Sequence, residues 1–293
     1  MYGIITDMDI AECEDFLDDP VPGREKVVPI AGHAVTLDYV AGSIGDRPVY
    51  MIPRRVDAVD IEHLGHMMLL SSLGAERVIG IEPVRSLRKN VKPGDFTTFT
   101  DIQLQGIKAP SFLHYGFEVQ DYNYSSLVCV RSLWNYFQKS SHFWEKMMKF
   151  RMHIAQTYLN LEWYDSVPDR KKMKMTVAVA GNDMREGFAA TELGMCYLHL
   201  GWVSDYMPSK RIVISEEEGA KIAVLARQKS KSVLRQFILT MPEERKCDCR
   251  KTLEGKIKRV YPEAESLLVS RLMQLGVCGS PKPLLVPEPS EGA

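Results

Sequence analysis

The chain has 293 residues, with 45% hydrophobic and 26% charged side chains and a formal net charge of -1. That composition belongs to a globular chain with a sizeable core, and a charge so near zero gives no global reason to bind nucleic acid or an anionic membrane. No apolar run approaches the roughly 20 residues that span a bilayer, and the N-terminal MYGIITDMDIAECEDF carries acids where a signal peptide carries basic residues, so a cytoplasmic location is expected.

Tyr2 to Ile5 reads as an opening strand that ends on Thr6-Asp7-Met8-Asp9, whose aspartates are either helix caps on a solvated turn or acids of a site. Two or three short strands follow between residues 23 and 52, with Gly45-Asp46 as a hairpin turn, and this alternation predicts a curled sheet. Arg54 and Arg55 come directly after the last of them, where a phosphate or carboxylate can be clamped, although paired arginines also serve as plain surface charge. Val59 to Leu73 has helical spacing and stops at Gly74. His63 and His66 share a face of that helix, but two histidines without a third ligand do not make a metal site, and no metal is expected.

Between Glu76 and Asp101, Val78, Ile79 and Ile81 form a buried strand expected to break at Pro83, and the Lys92-Pro93-Gly94-Asp95 turn starts a second strand, Phe96 to Phe99. Ligands of α/β proteins sit beyond the carboxyl ends of strands, which makes this stretch a site candidate. Gly106 to Ser166 is rich in aromatics; Phe143 to Leu161 reads as an amphipathic helix, and Trp134 to Trp144 is the expected subunit interface. Lys174 to Ala180 reads as a strand, followed by the Gly181-Asn182-Asp183 turn and a short helix to Leu193.

Met195 to Val203 is an apolar run interrupted only by His199, the pattern of a central strand covered on both faces. It ends at Ser204-Asp205-Tyr206, and an aspartate at the mouth of a buried strand needs partners to offset its desolvation. Ser215 with Glu218 is a capping box for a helix over Glu216 to Leu239, and Tyr261 to Leu275 is the final helix. One domain is expected over residues 1–278, then a flexible tail over 279–293 in which four prolines fall. The six cysteines are scattered except for Cys247 and Cys249, a C-x-C pair that can close a strained disulfide, bind metal or stay reduced; reduced thiols are expected.

Taken in order, these segments resemble the nucleoside phosphorylase superfamily, specifically the trimeric methylthioadenosine and purine nucleoside phosphorylases. Tyr50-Met51-Ile52-Pro53-Arg54 is similar to the family's L-P-R-H segment, and Leu73-Gly74 through Asp101 resembles its L-G-x-x-R-V-I…S-L-R…x-P-G-D-F…D signature. Gly194-Met195-Cys196-Tyr197 with Ser204-Asp205-Tyr206 looks like G-x-C-Y…T-D-Y-D, and Cys247-Asp248-Cys249-Arg250 with Leu253 resembles the C-x-C-x-x-x-L of some methylthioadenosine phosphorylases. The resemblance implies an α/β phosphorylase-type three-layer fold, with a central twisted mixed β-sheet, partly barrel-like, flanked by helices. It also implies a homotrimer or hexamer, a purine nucleoside or related small molecule as ligand, phosphate as co-substrate, and no cofactor. Asp205 is then the catalytic residue beside the departing purine, Ser204, Glu186 and Arg85 contact the nucleoside, and Arg54 and Arg55 hold the anion.

Several positions depart from that pattern. Thr6-Asp7-Met8-Asp9 stands where the family has G-G-S-G, Arg55 replaces the histidine of P-R-H-G, Leu64 an arginine, Glu82-Pro83-Val84-Arg85 the start of S-A-V-G-S-L, and Met207 the second acid of T-D-Y-D. Two carboxylates in the first turn would repel phosphate. Two alternatives to phosphorolysis therefore stay open: a nucleosidase with Asp9 or Glu12 as base and Asp205 as acid, and a non-catalytic paralogue that binds a ligand. Arg85, if it points into the crevice, either closes the nucleoside pocket or makes a new anion site.

Overall fold

The computed structural model describes residues 1–30, 32–55, 58–105, 111–119, 151–161, 177–181, 185–207, 213–261, 264 and 266–276. The expected tail and the expected interface around Trp134 to Trp144 lie outside these residues. The strands are β1 (Tyr2–Thr6), β2 (Asp18–Ile30), β3 (His33–Ile44), β4 (Arg47–Pro53), β5 (Arg77–Ser86), β6 (Phe96–Gln105), β7 (Phe117–Val119), β8 (Met152–Leu161), β9 (Val177–Gly181), β10 (Cys196–Tyr206) and β11 (Ile257–Val260). The α-helices are α1 (Ile10–Phe16), α2 (Asp60–Ser72), α3 (Glu186–Glu192), α4 (Glu216–Thr240) and α5 (Ser266–Gln274).

Nine strands form one sheet in the order β10-β6-β8-β9-β5-β1-β4-β3-β2, and β10 also pairs with β5. That extra pairing closes β10, β6, β8, β9 and β5 into a ring, from which β1, β4, β3 and β2 extend as an open arm. Closure depends on β5 changing partners along its length. Its first half pairs with β1 as far as Gly80, its end pairs with β9 at Arg85 and Ser86, and β10 runs beside it throughout. Pro83 falls in the gap between the β1 and β9 pairings. The strand was expected to break there, yet it continues to Ser86, because a residue without an N–H is tolerated where, among the described residues, one edge has no strand partner.

Side chains alternate across each strand and so divide the core into two layers. Ile4, Met51, Ile79, Ile81, Leu198 and Leu200 face a cluster shared with Phe16 of α1 and Phe237 of α4. Ile5, Ile52, Val78, Val84, Tyr197 and Val203 face the opposite cluster, shared with Leu64 and Met68 of α2, Ala189 of α3 and Leu272 of α5. Helices thus cover both faces, giving three layers around a mixed, partly barrel-like sheet. Among the described residues no helix is long and apolar enough to cross a membrane.

Most expected elements form close to their predicted limits. The Gly45-Asp46 turn joins β3 to β4, Gly74 ends α2 with φ of +84°, and the Ser215 hydroxyl accepts from the Glu218 N–H at 3.2 Å to start α4. Two further expectations fail. The helix over Phe143 to Leu161 is replaced, within the described residues, by strand β8, which lies between β6 and β9 and bonds to both in parallel; its apolar spacing suits either structure, and pairing decides. The final helix begins at Ser266, not at Tyr261, whose N–H donates to the Gly116 carbonyl as the chain leaves β11.

Candidate active site

The carboxyl end of β10 is fastened before its polar residues begin. In the Lys92–Asp95 turn, Gly94 adopts φ of +85° and its N–H donates to the Val203 carbonyl at 2.8 Å, while the Val203 N–H donates to the Asp95 carbonyl at 2.8 Å. Asp95 also accepts from the Lys92 N–H, and its Oδ2 lies 2.8 Å from His153 Nε2. One residue later the register of β10 on β5 shifts, so that Asp205 rather than Ser204 stands opposite Arg85. Such an irregularity re-aims side chains at the end of a strand. Asp205 Oδ1 lies 3.2 Å from Arg85 Nε, and the Ser204 hydroxyl is 3.3 Å from the Val84 carbonyl and 3.2 Å from Asp205 Oδ1. The Asp205 side chain is 37% exposed and Arg85 15%, so the carboxylate reaches solvent with a more deeply buried cation beside it.

A second cluster lies on the layer that faces α2 and α3. Glu186, the first residue of α3, is wholly buried, and its carboxylate gathers four side chains from three segments of the chain. Arg54, just past β4, reaches it with two nitrogens, Nε to Oε1 at 3.1 Å and Nη2 to Oε2 at 2.8 Å, and donates from Nη1 to the Ile81 carbonyl. On α2, His63 Nδ1 lies 3.0 Å and His66 Nδ1 3.3 Å from Oε1, and Tyr197 of β10 donates to Oε2 at 3.2 Å. These donors stabilise the anion against its own desolvation, the Arg54 guanidinium most of all, and hold the Glu186 carboxyl well below its ordinary range. Burial pushes His66 down, toward the neutral imidazole, and the Tyr197 phenol up.

The cluster continues into the sheet. The Tyr197 oxygen also lies 2.9 Å from His199 Nδ1, and His199 Nε2 lies 2.7 Å from Glu82 Oε1. Tyr197, His199 and Glu82 face one layer because residues two apart on a strand share a side. Gly80 gives this chain its space: a Cβ there would lie 2.2 Å from the Tyr197 hydroxyl and 2.9 Å from His199 Nδ1. Gly80→Ala is accordingly expected to cost about 1–3 kcal/mol by overpacking, read as a lower midpoint in urea unfolding.

The structure brings Arg54 together with Glu186, and Ser204 and Arg85 together with Asp205. Arg55 joins neither group; its side chain is 69% exposed and pairs with Glu62 at 3.2 Å. Asp9 and Glu12 are engaged with each other as the capping box of α1. The remaining acid of the first turn, Asp7, has its pKa raised by burial and lies 3.7 Å from Arg227. Sequence reasoning missed Tyr197, His199 and Glu82 as members of one network. The available signal was a polar residue recurring at every second position on strands that are otherwise apolar. His63, His66 and Glu186 offer three ligand atoms within 4.8 Å of one another, but both Glu186 oxygens are already bonded to the Arg54 guanidinium, and a metal ion would face that fixed positive charge.

No family model matches the chain. It is 28% identical over 261 residues to the S-methyl-5'-thioadenosine phosphorylase of Thermofilum pendens, an alignment covering 82% of this chain and 92% of that one. It is 23% identical over 236 residues to the 6-oxopurine nucleoside phosphorylase of Pyrococcus furiosus, covering 73% and 85%. Among solved structures, a methylthioadenosine phosphorylase from an antarctic soil metagenomic library superposes with a TM-score of 0.75 at 16% identity, over 94% of this chain and 98% of that one.

Proposed function

We propose, from the premise that the chain is a member of the nucleoside phosphorylase superfamily, that it cleaves the N-glycosidic bond of a purine nucleoside or of methylthioadenosine by phosphorolysis. The observation that carries this reading is the position of Asp205: at the carboxyl end of a central strand, half-exposed, with Ser204 beside it and Arg85 behind. In the reaction a phosphate oxygen bonds to the anomeric carbon as the bond to the purine nitrogen breaks, and the electron pair leaves with the base. Asp205 enters the step as the neutral acid, hydrogen-bonds the base near N7 and gives it its proton, and Arg85 stabilises the carboxylate that remains. Phosphate serves as co-substrate without a further cofactor, and the same reading carries a cytoplasmic homotrimer or hexamer.

One observation favours a second reading. Arg54, the side chain expected to meet phosphate, is 2% exposed and already spends two nitrogens on the buried Glu186 carboxylate. Phosphate has to displace that carboxylate or bind elsewhere, which is the situation of a chain that hydrolyses its nucleoside or only binds it. Incubation with methylthioadenosine, inosine and adenosine, with and without phosphate, separates these cases by release of free base. Release that requires phosphate is the expected result. Equal release without phosphate replaces it with hydrolysis, and no release from any of the three leaves a ligand-binding protein.

A further inference from the structure

Away from both clusters, three sulfur atoms converge where β10 begins. Cys196 is the first residue of β10 and is wholly buried; Cys247 and Cys249 are half-buried in the connection that leaves α4. Cys196 Sγ lies 3.2 Å from Cys247 Sγ, and the sulfurs of all three residues lie within 4.8 Å of one another. The sequence shows only the C-x-C pair; the third thiol arrives from 51 residues upstream through the fold.

The charge beside these sulfurs is positive. The Arg245 side chain is 9% exposed; its Nη2 donates to the Gly194 carbonyl at 2.9 Å, and its Nη1 approaches Glu76 only to 3.7 Å. Its Nε and Nη1 are buried without a hydrogen-bond acceptor among the described residues. The thiolate is the form in which cysteine binds a metal ion, and Arg245, two residues before Cys247, places a buried positive charge on the same connection.

We propose that Cys196, Cys247 and Cys249 form a thiolate site for a divalent, thiophilic cation of the zinc class. Metal–sulfur bonds of about 2.3 Å place tetrahedrally arranged sulfurs about 3.8 Å apart, so the Cys196–Cys247 pair opens by roughly half an ångström to admit the ion. Three thiolates and a divalent cation leave one negative charge, and Arg245 balances it. Soft sulfur ligands select such an ion over magnesium or calcium, and water completes the fourth position. The bound ion would tie the connection after α4 to the start of β10, at the opposite end of that strand from Ser204 and Asp205. Its role is therefore structural.

The test uses the full chain, reduced and then freed of reductant under anaerobic conditions, and titrated with Cd2+, whose thiolate charge-transfer absorption reports the bond. Saturation at one ion per chain is expected, with three thiols protected from alkylation, displacement by Zn2+ and a higher unfolding temperature. Cys249→Ser, at a half-buried position that leaves the core intact, should lose the saturable absorption, and Cys13→Ser, a buried cysteine outside the cluster, should keep it. Undiminished binding in Cys249→Ser overturns the proposal. So does the absence of saturable binding, or loss of the Cys196 and Cys247 thiols to a disulfide on air exposure while Cd2+ is already present.

Discussion

Glu186→Ala is expected to destabilise the protein by about 3–5 kcal/mol, the cost of removing one partner from a buried ion pair and leaving the other uncompensated. The residue left behind is Arg54, 2% exposed, with Nε and Nη2 aimed at the missing carboxylate. His63, His66 and Tyr197 lose the same acceptor. Glu186→Gln recovers little of the loss, because its amide N–H2 would face donors where a carboxylate oxygen had accepted. Urea unfolding at neutral pH measures both, and a change under about 1 kcal/mol would show that the cluster is not held together by its anion.

The same cluster sets an acid dependence. His66 is held toward neutrality in the fold, so the unfolded chain takes up a proton more readily and stability begins to fall as pH drops below 6.5, the ordinary histidine value. Glu186 is depressed, so its contribution is complete above its ordinary value of 4.5 and is lost only as pH falls well below it. Unfolding midpoints measured across this range should therefore decline in two stages, and His66→Asn should remove the upper one. A single stage confined to the region below 4.5 in the unaltered protein would contradict the assignment to His66.

Asp205→Ala is expected to lower turnover of the nucleoside by about 100-fold or more, the contribution of one placed acid–base group, with the larger part in kcat. Binding of the intact nucleoside changes less, since the carboxylate matters most when charge has reached the base. The variant should fold normally, because Asp205 is 37% exposed and Arg85, left behind, still reaches solvent. Steady-state kinetics on whichever nucleoside releases base decide the matter, and turnover that survives the substitution removes Asp205 from the mechanism.

Local order was legible in the residues themselves. The apolar runs that make β1, β4 and β10, the Gly45-Asp46 and Lys92–Asp95 turns, the Gly74 stop and the Ser215 cap are all relations between residues a few positions apart, and their physics is complete within a turn or a strand. The family-like segments around Arg54, Pro93-Gly94-Asp95 and Ser204-Asp205 could be found for the same reason. Pairing was not legible. Whether residues 152–161 become helix or strand, and how β5 passes Pro83, depend on which strands arrive alongside. The site follows the same division. Asp205 and Arg54 stood out as candidates by type and position, and Arg85 and Glu186 through the family resemblance, but the register of β10 on β5 sets Asp205 against Arg85, and closure of α3 over α2 joins Glu186 to an arginine 132 residues away. Tertiary structure alone decides such partners, because a buried charge is stabilised by whatever the fold brings within hydrogen-bonding distance, and sequence separation places no limit on that.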